Sequence, residues 1–360
     1  MILDDSREIA RIDAGGMLNL VGRLAGMTLE GWELAADVPL PAGAGARPIA
    51  VTVAGMGGSG FGGDVLRALL APAAPMPILT IKDDRLPAFV GVDTLTFVCS
   101  YSGNTDETLA AYEEAHTAGA SIIAVTSGGA LADRARAGRH PVVRVPGGLP
   151  PRAALPYLLM PMLRITSRLG IAATDDGDVR QASTVLAELA ARWAPTVPTR
   201  DNPCKRLAER LVGSIPVIYA ASQATEPVAY RWKTQINENS KMFATWNVFP
   251  ELSHNETVGW TSGVGDAALF VVLLRDRDDG ALSTLQIQAT RTLAFGRARG
   301  VESVWSVGVG LLARLLSLVM FGDFVSVYLA ICNGVDPTPI DVITEMKRRM
   351  QEASAQRGTI

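Results

Sequence analysis

A short polar segment at residues 100–108 brings hydroxyl side chains together directly after an apolar run. The run before it is rich in β-forming residues, and apolar residues recur at helical spacing after it, so the segment is predicted to turn from a strand into a helix. Free backbone N–H groups at such a turn attract an anion, and hydroxyls donate further hydrogen bonds. The pattern predicts a phosphate-binding loop whose hydroxyls belong to Ser100, Ser102, Thr105 and Thr108.

A helix cap is the alternative interpretation of the same segment. Glu107 follows Asn104 by three residues, which is the spacing of a capping box, and Ser-Gly-Asn is common in turns. The segment alone leaves both interpretations open.

A glycine-rich segment at residues 55–63 forms a second predicted strand-to-helix turn. Glycine lets the backbone approach a ligand closely, and Ser59 adds a hydroxyl. The segment also matches a dinucleotide-binding fingerprint, with Asp83 and Asp84 roughly 20 residues further on. The alternative function is therefore that of a nicotinamide-dependent oxidoreductase, with Gly55, Gly57 and Gly60 as the glycines of the dinucleotide-binding turn.

Two segments of the second half carry groups that could move protons. Glu238 lies in a polar run at the end of a helix-like segment, and His254 lies in the segment 251–256. Apolar residues such as Trp232 are expected to bury Glu238 in part. Each segment alone is also typical of a solvated helix end or an ordinary loop.

The composition bounds the class of protein. The chain has 360 residues, 48% of them hydrophobic and 19% charged, with a net charge of −3. These values predict a compact folded protein without a nucleic-acid or membrane partner, so the partner is a small molecule or another copy of the chain. Its three scattered cysteines, and an acidic start where a signal peptide would be basic, predict the cytoplasm. The apolar segment 309–332 is interrupted by Arg314 and Asp323, which favours a buried helix over a membrane span.

Short β-branched runs alternate with helical patterns after a helical start at residues 7–36. This alternation predicts an α/β fold with two subdomains, each a mostly parallel sheet flanked by helices in a doubly wound, flavodoxin-like arrangement. Binding loops then belong at the carboxyl ends of the strands. The expected domains are residues 1–172 and 173–360. The predicted strands are 49–54, 77–81, 92–99, 121–126 and 141–145, then 215–220, 243–248, 268–274 and 303–307.

Taken together, these segments resemble the bifunctional phosphoglucose/phosphomannose isomerase family, a branch of the sugar isomerase (SIS) domain proteins. The serine-threonine loop marks an SIS domain, and the glutamate and histidine segments narrow the resemblance to the isomerases. The matching motifs span most of the chain: Gly55-Met-Gly-Gly-Ser-Gly60, Ser100-Tyr-Ser-Gly-Asn-Thr-Asp-Glu-Thr108, Pro150-Pro-Arg152-Ala-Ala, Asn237-Glu-Asn-Ser-Lys241, Glu251-Leu-Ser-His254-Asn-Glu256 and Lys347.

The resemblance implies a metabolic role and a set of site residues. It implies interconversion of glucose 6-phosphate, together with mannose 6-phosphate, and fructose 6-phosphate through a cis-enediol. Glu238 would carry the proton between C1 and C2, and Arg152 would stabilise the developing negative charge. His254, from the partner subunit of a homodimer, would open the sugar ring with Lys347. The 6-phosphate would be held by Gly58, Ser59, Ser100, Ser102 and Thr105.

Two further alternatives share the SIS fold. A regulatory module that only binds a sugar phosphate would need the hydroxyl loop but not Glu238 or His254. An amidotransferase partner domain would accompany a glutaminase nucleophile, which the sequence does not show. Three histidines without a cluster at ligand spacing do not suggest a zinc-dependent isomerase, and no cofactor is expected.

Overall fold

The computed structural model describes residues 2–41, 48–261 and 268–357. The strands are β1 (Ala50–Ala54), β2 (Ile78–Ile81), β3 (Thr94–Cys99), β4 (Ser121–Thr126), β5 (Val142–Arg144), β6 (Ile215–Ala220), β7 (Thr245–Val248), β8 (Leu269–Arg275) and β9 (Gly300–Trp305). The helices are α1 (Ser6–Ile12), α2 (Met17–Gly22), α3 (Leu24–Glu33), α4 (Gly57–Leu70), α5 (Asp106–Thr117), α6 (Gly129–Ala137), α7 (Leu155–Arg168), α8 (Asp176–Arg192), α9 (Pro203–Leu211), α10 (Glu226–Ser240), α11 (Glu256–Gly259), α12 (Ala281–Leu293), α13 (Leu311–Cys332) and α14 (Asp341–Arg357).

Two parallel sheets organise the described chain. The first has the strand order β2-β1-β3-β4-β5 and the second β7-β6-β8-β9, and every pairing is parallel. Numbered from its own first strand, each sheet begins 2-1-3-4. In both, the chain therefore reverses its winding direction between the first and third strands, where loops at the carboxyl ends leave a crevice. The predicted fold class is confirmed, and the shared order supports a duplicated α/β unit.

The helical start agrees with its prediction, and the last strand differs in detail. Residues 7–36 form three helices, and Gly16, with a left-handed φ of 69°, separates α1 from α2. The last strand starts at Gly300 rather than 303, since its partly exposed edge lacks the continuous apolar run of a central strand.

The two halves share one hydrophobic core. Buried residues of both sheets, such as Phe97 and Ile218, belong to the same cluster. Helix α8 packs against α3 on one side and α13 on the other. The predicted boundary at residue 172 lies between α7 and α8 and stays a prediction.

Helix α13 is the apolar segment that the sequence predicted to be buried. It is long and apolar enough to span a membrane, but 89% of its most apolar window is buried inside the protein. Its two interior charges are paired: Arg314 Nε donates to Asp276 at 3.0 Å, and Asp323 accepts from Arg231 at 2.7 Å. The prediction of a buried helix is confirmed.

Candidate active site

The hydroxyl loop after β3 is folded around its own side chains. Ser100 Oγ lies 3.1 Å from Thr105 Oγ1 and accepts a hydrogen bond from Gly103 N. Ser102 Oγ accepts from Asn104 N at 3.3 Å. The loop runs directly into the N-terminus of α5, where free backbone N–H groups and the positive end of the helix dipole lie together. The arrangement suits a bound anion.

The capping-box interpretation of this loop is wrong. Thr105, not Asn104, precedes the first residue of α5, and in the described chain its side chain makes no capping hydrogen bond. Asn104 Oδ1 instead accepts from the backbone N of Ala130, in the first turn of α6. The Asn104 side chain is therefore used in a contact with a distant part of the chain and does not cap α5.

The glycine-rich loop after β1 lies against the hydroxyl loop. Ser59 Oγ accepts a hydrogen bond from Tyr101 N at 3.1 Å, which joins the two loops. A Cβ added at Gly58 would lie 3.0 Å from Pro151 O and 3.4 Å from the Arg152 Cα. Glycine therefore allows the backbone of residues 151–152 to approach the start of α4.

Arg152 is buried at the centre of this assembly, on a short 3₁₀ helix, Pro151–Ala153. Only 4% of the residue is exposed. Its Nε donates to Asn239 Oδ1 at 2.7 Å, and its Nη2 donates to the carbonyls of Pro337 at 2.7 Å and Thr338 at 2.9 Å. Burial lowers the pKa of Arg152 and the nearby Glu238 opposes that shift, but a guanidinium stays charged in proteins.

Glu238 meets Arg152 from the second half of the chain. It lies in the last turn of α10, and its Oε2 is 3.5 Å from Arg152 Nη1. Its side chain is 29% exposed, so the carboxylate is accessible to a small molecule. Lys241, in a left-handed conformation at the helix end, donates from Nζ to the Glu238 carbonyl at 2.6 Å. Burial, and then the charge of Arg152, lower the pKa of Lys241.

Glu238 is partly buried, as expected, but the contacts of Trp232 lie elsewhere. Trp232 stacks on Phe321 at a ring distance of 5.8 Å and donates from Nε1 to the Leu318 carbonyl. The two side chains leave α10 on different faces, because six residues correspond to about 240° of helix rotation. The surroundings of Glu238 are cationic instead of apolar.

A buried polar network supports Arg152 from behind. Arg231 forms two hydrogen bonds to Asp323 and a third to the Arg152 carbonyl at 2.8 Å. Asn239 donates from Nδ2 to Ser326 Oγ at 2.9 Å. Sequence reasoning missed these residues as parts of the site. The available signal was Asp323, since a carboxylate inside an apolar helix requires a buried partner.

Lys347 lies near the hydroxyl loop. It is exposed on α14 and lines a cavity of about 530 Å³ together with Asn104 and Thr105. The carbonyls of Pro337 and Thr338 attach the segment before α14 to Arg152. The C-terminal helix thus contacts the cavity beside the hydroxyl loop, and the segment before it is bonded to Arg152.

His254 lies apart from the other predicted residues. It ends a 3₁₀ helix, Glu251–His254, that follows β7, the edge strand of the second sheet. The residue is exposed, and within the described ranges its imidazole forms no hydrogen bond to Glu238 or Arg152. One chain therefore assembles Glu238, Arg152 and the loops but leaves His254 outside.

No group of three or more His, Cys, Asp or Glu side chains within residues 2–41, 48–261 and 268–357 is arranged to hold a metal ion.

Two named relatives match most of the chain. The "Bifunctional phosphoglucose/phosphomannose isomerase" of Caldicellulosiruptor bescii is 42% identical over 303 residues, which are 84% of this chain and 89% of that protein. The chain belongs to the bifunctional phosphoglucose/phosphomannose isomerase family. A second member, from Aquifex aeolicus, is 35% identical over 84% of this chain and 90% of its own length.

Two further comparisons agree with this family. Residues 200–350, which carry Glu238 and His254, match the family described as "Bacterial phospho-glucose isomerase C-terminal SIS domain". A solved "glucose-6-phosphate isomerase like protein" from Thermus thermophilus superposes with a TM-score of 0.61, 23% identity and coverage of 93% of this chain and 96% of that one. At this level of identity, the superposition shows a shared fold and nothing further.

Proposed function

We propose that the protein is an aldose–ketose isomerase that interconverts glucose 6-phosphate and mannose 6-phosphate with fructose 6-phosphate. The observation that carries the proposal is the pairing of an accessible Glu238 carboxylate with the buried Arg152 guanidinium, 3.5 Å apart beside the hydroxyl loop. Membership of the isomerase family supports the same reaction.

The chemistry requires one proton carrier and one charge stabiliser. Glu238 removes the proton from C2 of the open-chain aldose while the C1 carbonyl oxygen takes up a proton, which gives the cis-enediol. Glu238 then returns its proton to C1 while the C2 hydroxyl loses its proton, which gives the ketose; the reverse reaction runs from C1 to C2. Arg152 faces the oxygens of C1 and C2, where negative charge develops. Because Arg152 is held by Asn239 and two carbonyls, its charge is in place before the substrate arrives.

The 6-phosphate is assigned to the crevice between the two loops of the first sheet. Backbone N–H groups at the starts of α4 and α5 and the hydroxyls of Ser59, Ser100, Ser102 and Thr105 are the donors there. Ser59 and the hydroxyl loop are already in contact through Tyr101 N. A phosphate at this position leaves the sugar carbons to extend toward Arg152, which the Gly58 contact brings within reach.

Ring opening is assigned to His254 and Lys347. The exposed position of His254 supports delivery from the partner subunit of a homodimer, since its own chain does not bring it to Glu238. Lys347 lines the cavity next to Thr105 and reaches the substrate from the side of α14. The dimer is the form in which all four assigned catalytic side chains meet. The three free cysteines, two of them fully buried, support the cytoplasm as the compartment.

A direct assay tests this function. Purified protein is incubated with fructose 6-phosphate in the presence of EDTA, and glucose 6-phosphate and mannose 6-phosphate are measured separately by chromatography. We expect both products. EDTA is expected not to prevent their formation, because every group assigned to the reaction is a protein side chain. Binding of fructose 6-phosphate without either product would support the regulatory SIS module instead, and absence of binding would overturn both assignments.

A further inference from the structure

The loop that carries His254 is attached to the second sheet through another residue, Glu256. The carboxylate of Glu256 forms two hydrogen bonds, one from each oxygen. Tyr219 Oη donates to Oε1 at 2.5 Å, and Asn247 Nδ2 donates to Oε2. Tyr219 and Asn247 lie directly opposite each other on the paired strands β6 and β7. Glu256 therefore bridges two neighbouring strands two residues after His254.

The donors of this bridge are themselves fixed. Tyr219 is fully buried, and burial, followed by the contact with Glu256, raises the pKa of its hydroxyl, which keeps the donor proton. Trp260 Nε1 donates to the same hydroxyl at 3.1 Å, so the single Tyr219 proton is directed to Glu256. The acceptor thus has a buried and oriented partner at the end of β6.

The residue between His254 and Glu256 continues the attachment. Asn255 Oδ1 accepts from the Glu256 backbone N at 2.5 Å, and its Nδ2 donates to Glu251 Oε1 at 3.0 Å. The backbone next to His254 is also bonded within the loop, from Ser253 N to the Pro250 carbonyl at 3.0 Å and from Asn255 N to the Leu252 carbonyl at 3.4 Å. The loop thus holds the backbone of His254 while its side chain is exposed and accessible to another subunit.

We propose that Glu256 is a positioning residue for His254, which it holds in the geometry needed at the active site of the partner subunit. This inference rests on the proposed isomerase function and its homodimer. Both oxygens of Glu256 accept hydrogen bonds from the second sheet, so the carboxylate links the His254 loop to that sheet. It acts through the loop, and a displacement of about 1 Å at a reacting group costs on the order of 10²-fold in rate.

The first test is kinetic. Glu256→Ala is expected to lower kcat by about 10²-fold with little change in KM, because the phosphate loops and Arg152 lie on other elements. Glu256→Gln, which keeps one acceptor oxygen, is expected to recover part of that loss. The matched control is Glu302→Ala on β9, at the opposite edge of the same sheet, which removes a surface ion pair with Arg210 of α9. The control is expected to keep wild-type kcat.

Subunit mixing separates a positioning role from a general loss of structure. Glu238→Gln and Glu256→Ala homodimers are mixed, dissociated and reassociated. In each heterodimer, the site with an intact Glu238 receives His254 from the subunit whose Glu256 is also intact. The mixture is therefore expected to recover about a quarter of wild-type activity, because half of the dimers are mixed and each has one intact site. A mixture of His254→Ala with Glu256→Ala is expected to recover nothing, since both changes damage the same loop.

The outcomes distinguish this inference from the function on which it rests. If Glu238→Gln mixed with His254→Ala recovers activity but Glu238→Gln mixed with Glu256→Ala does not, Glu256 acts at the active site of its own subunit and the inference is wrong. If neither mixture recovers, the partner-supplied histidine itself is wrong. If Glu256→Ala does not fold, Tyr219→Phe removes one donor of the same bridge and must show a smaller kcat loss with the same mixing pattern; wild-type kcat in Tyr219→Phe would overturn the proposal.

Discussion

The guanidinium of Arg152 lies 3.5 Å from the carboxylate of Glu238, although 86 residues of chain separate them. Arg152 follows the last strand of the first sheet, and Glu238 ends the first helix after β6 in the second sheet. The pair therefore forms only when the two halves pack together. The shared core and the hydrogen bond from Arg231 to the Arg152 carbonyl maintain that packing.

Glu238→Gln is the sharpest test of the base. The amide keeps the size of the side chain but does not accept a proton, so kcat is expected to fall by about 10² to 10⁴-fold. Binding of fructose 6-phosphate, measured by calorimetry, is expected to stay close to wild type. Glu226→Gln at the start of the same helix, where it loses only an ion pair with Arg67, is the control. Equal turnover in Glu238→Gln and wild type would remove Glu238 from the base role.

Ser102→Ala tests the phosphate assignment. A hydrogen bond to a charged group contributes about 1.5 to 3 kcal/mol, so KM for fructose 6-phosphate is expected to rise about tenfold or more while kcat changes little. Thr184→Ala, on the exposed surface of α8, removes a hydroxyl that bonds only to its own helix and should leave both constants unchanged. An unchanged KM in Ser102→Ala counts against this serine as a phosphate ligand.

Arg152→Lys tests whether a positive charge alone is sufficient. Lysine lacks the planar fork that serves Asn239 and the two carbonyls at once. We expect kcat to fall by about 10² to 10³-fold and trypsin to cut faster after Arg348 and Arg349, because the segment before α14 loses its donor. Arg168→Lys is the control, since Arg168 also binds two carbonyls, those of Ala35 and Val38, away from the site. Trypsin sensitivity equal to that of Arg168→Lys would contradict the attachment of α14 through Arg152.

The sheets and loops were predictable because their signals are local. Each strand is a short β-branched run, and each phosphate loop directly follows one, so periodicity places both at the carboxyl edge of a sheet. The sequence pattern did not exclude a helix cap at Asn104, because the residue that Asn104 contacts, Ala130, lies in another helix, α6. Long-range contacts decide between interpretations that a local pattern permits equally.

The support of the site was not predictable for the same reason. Asn239 lies in a motif but its partner Ser326 does not, and only the packing of α10 against α13 brings the two side chains together beside Arg152. Glu256 was visible in a motif, yet its role depends on Tyr219 and Asn247 meeting across two strands. Residues that position other residues leave a weaker signal than those that touch a ligand.

Tyr157→Phe gives a prediction of alkaline stability. The Tyr157 hydroxyl donates to Glu30 and joins α7, which begins just after Arg152, to α3. Burial, and then the contact with Glu30, raise the pKa of Tyr157 to about 12. Because the folded pKa lies above the ordinary value of about 10, the stabilisation is complete below pH 10 and is lost as the pH rises toward 12.

The difference in unfolding free energy between wild type and Tyr157→Phe is therefore expected to be about 1 to 2 kcal/mol at neutral pH and to shrink above pH 10. Urea titrations of both proteins at a series of pH values measure it. A difference that stays constant up to pH 12 would show that the hydroxyl does not stabilise the α3–α7 contact through its proton.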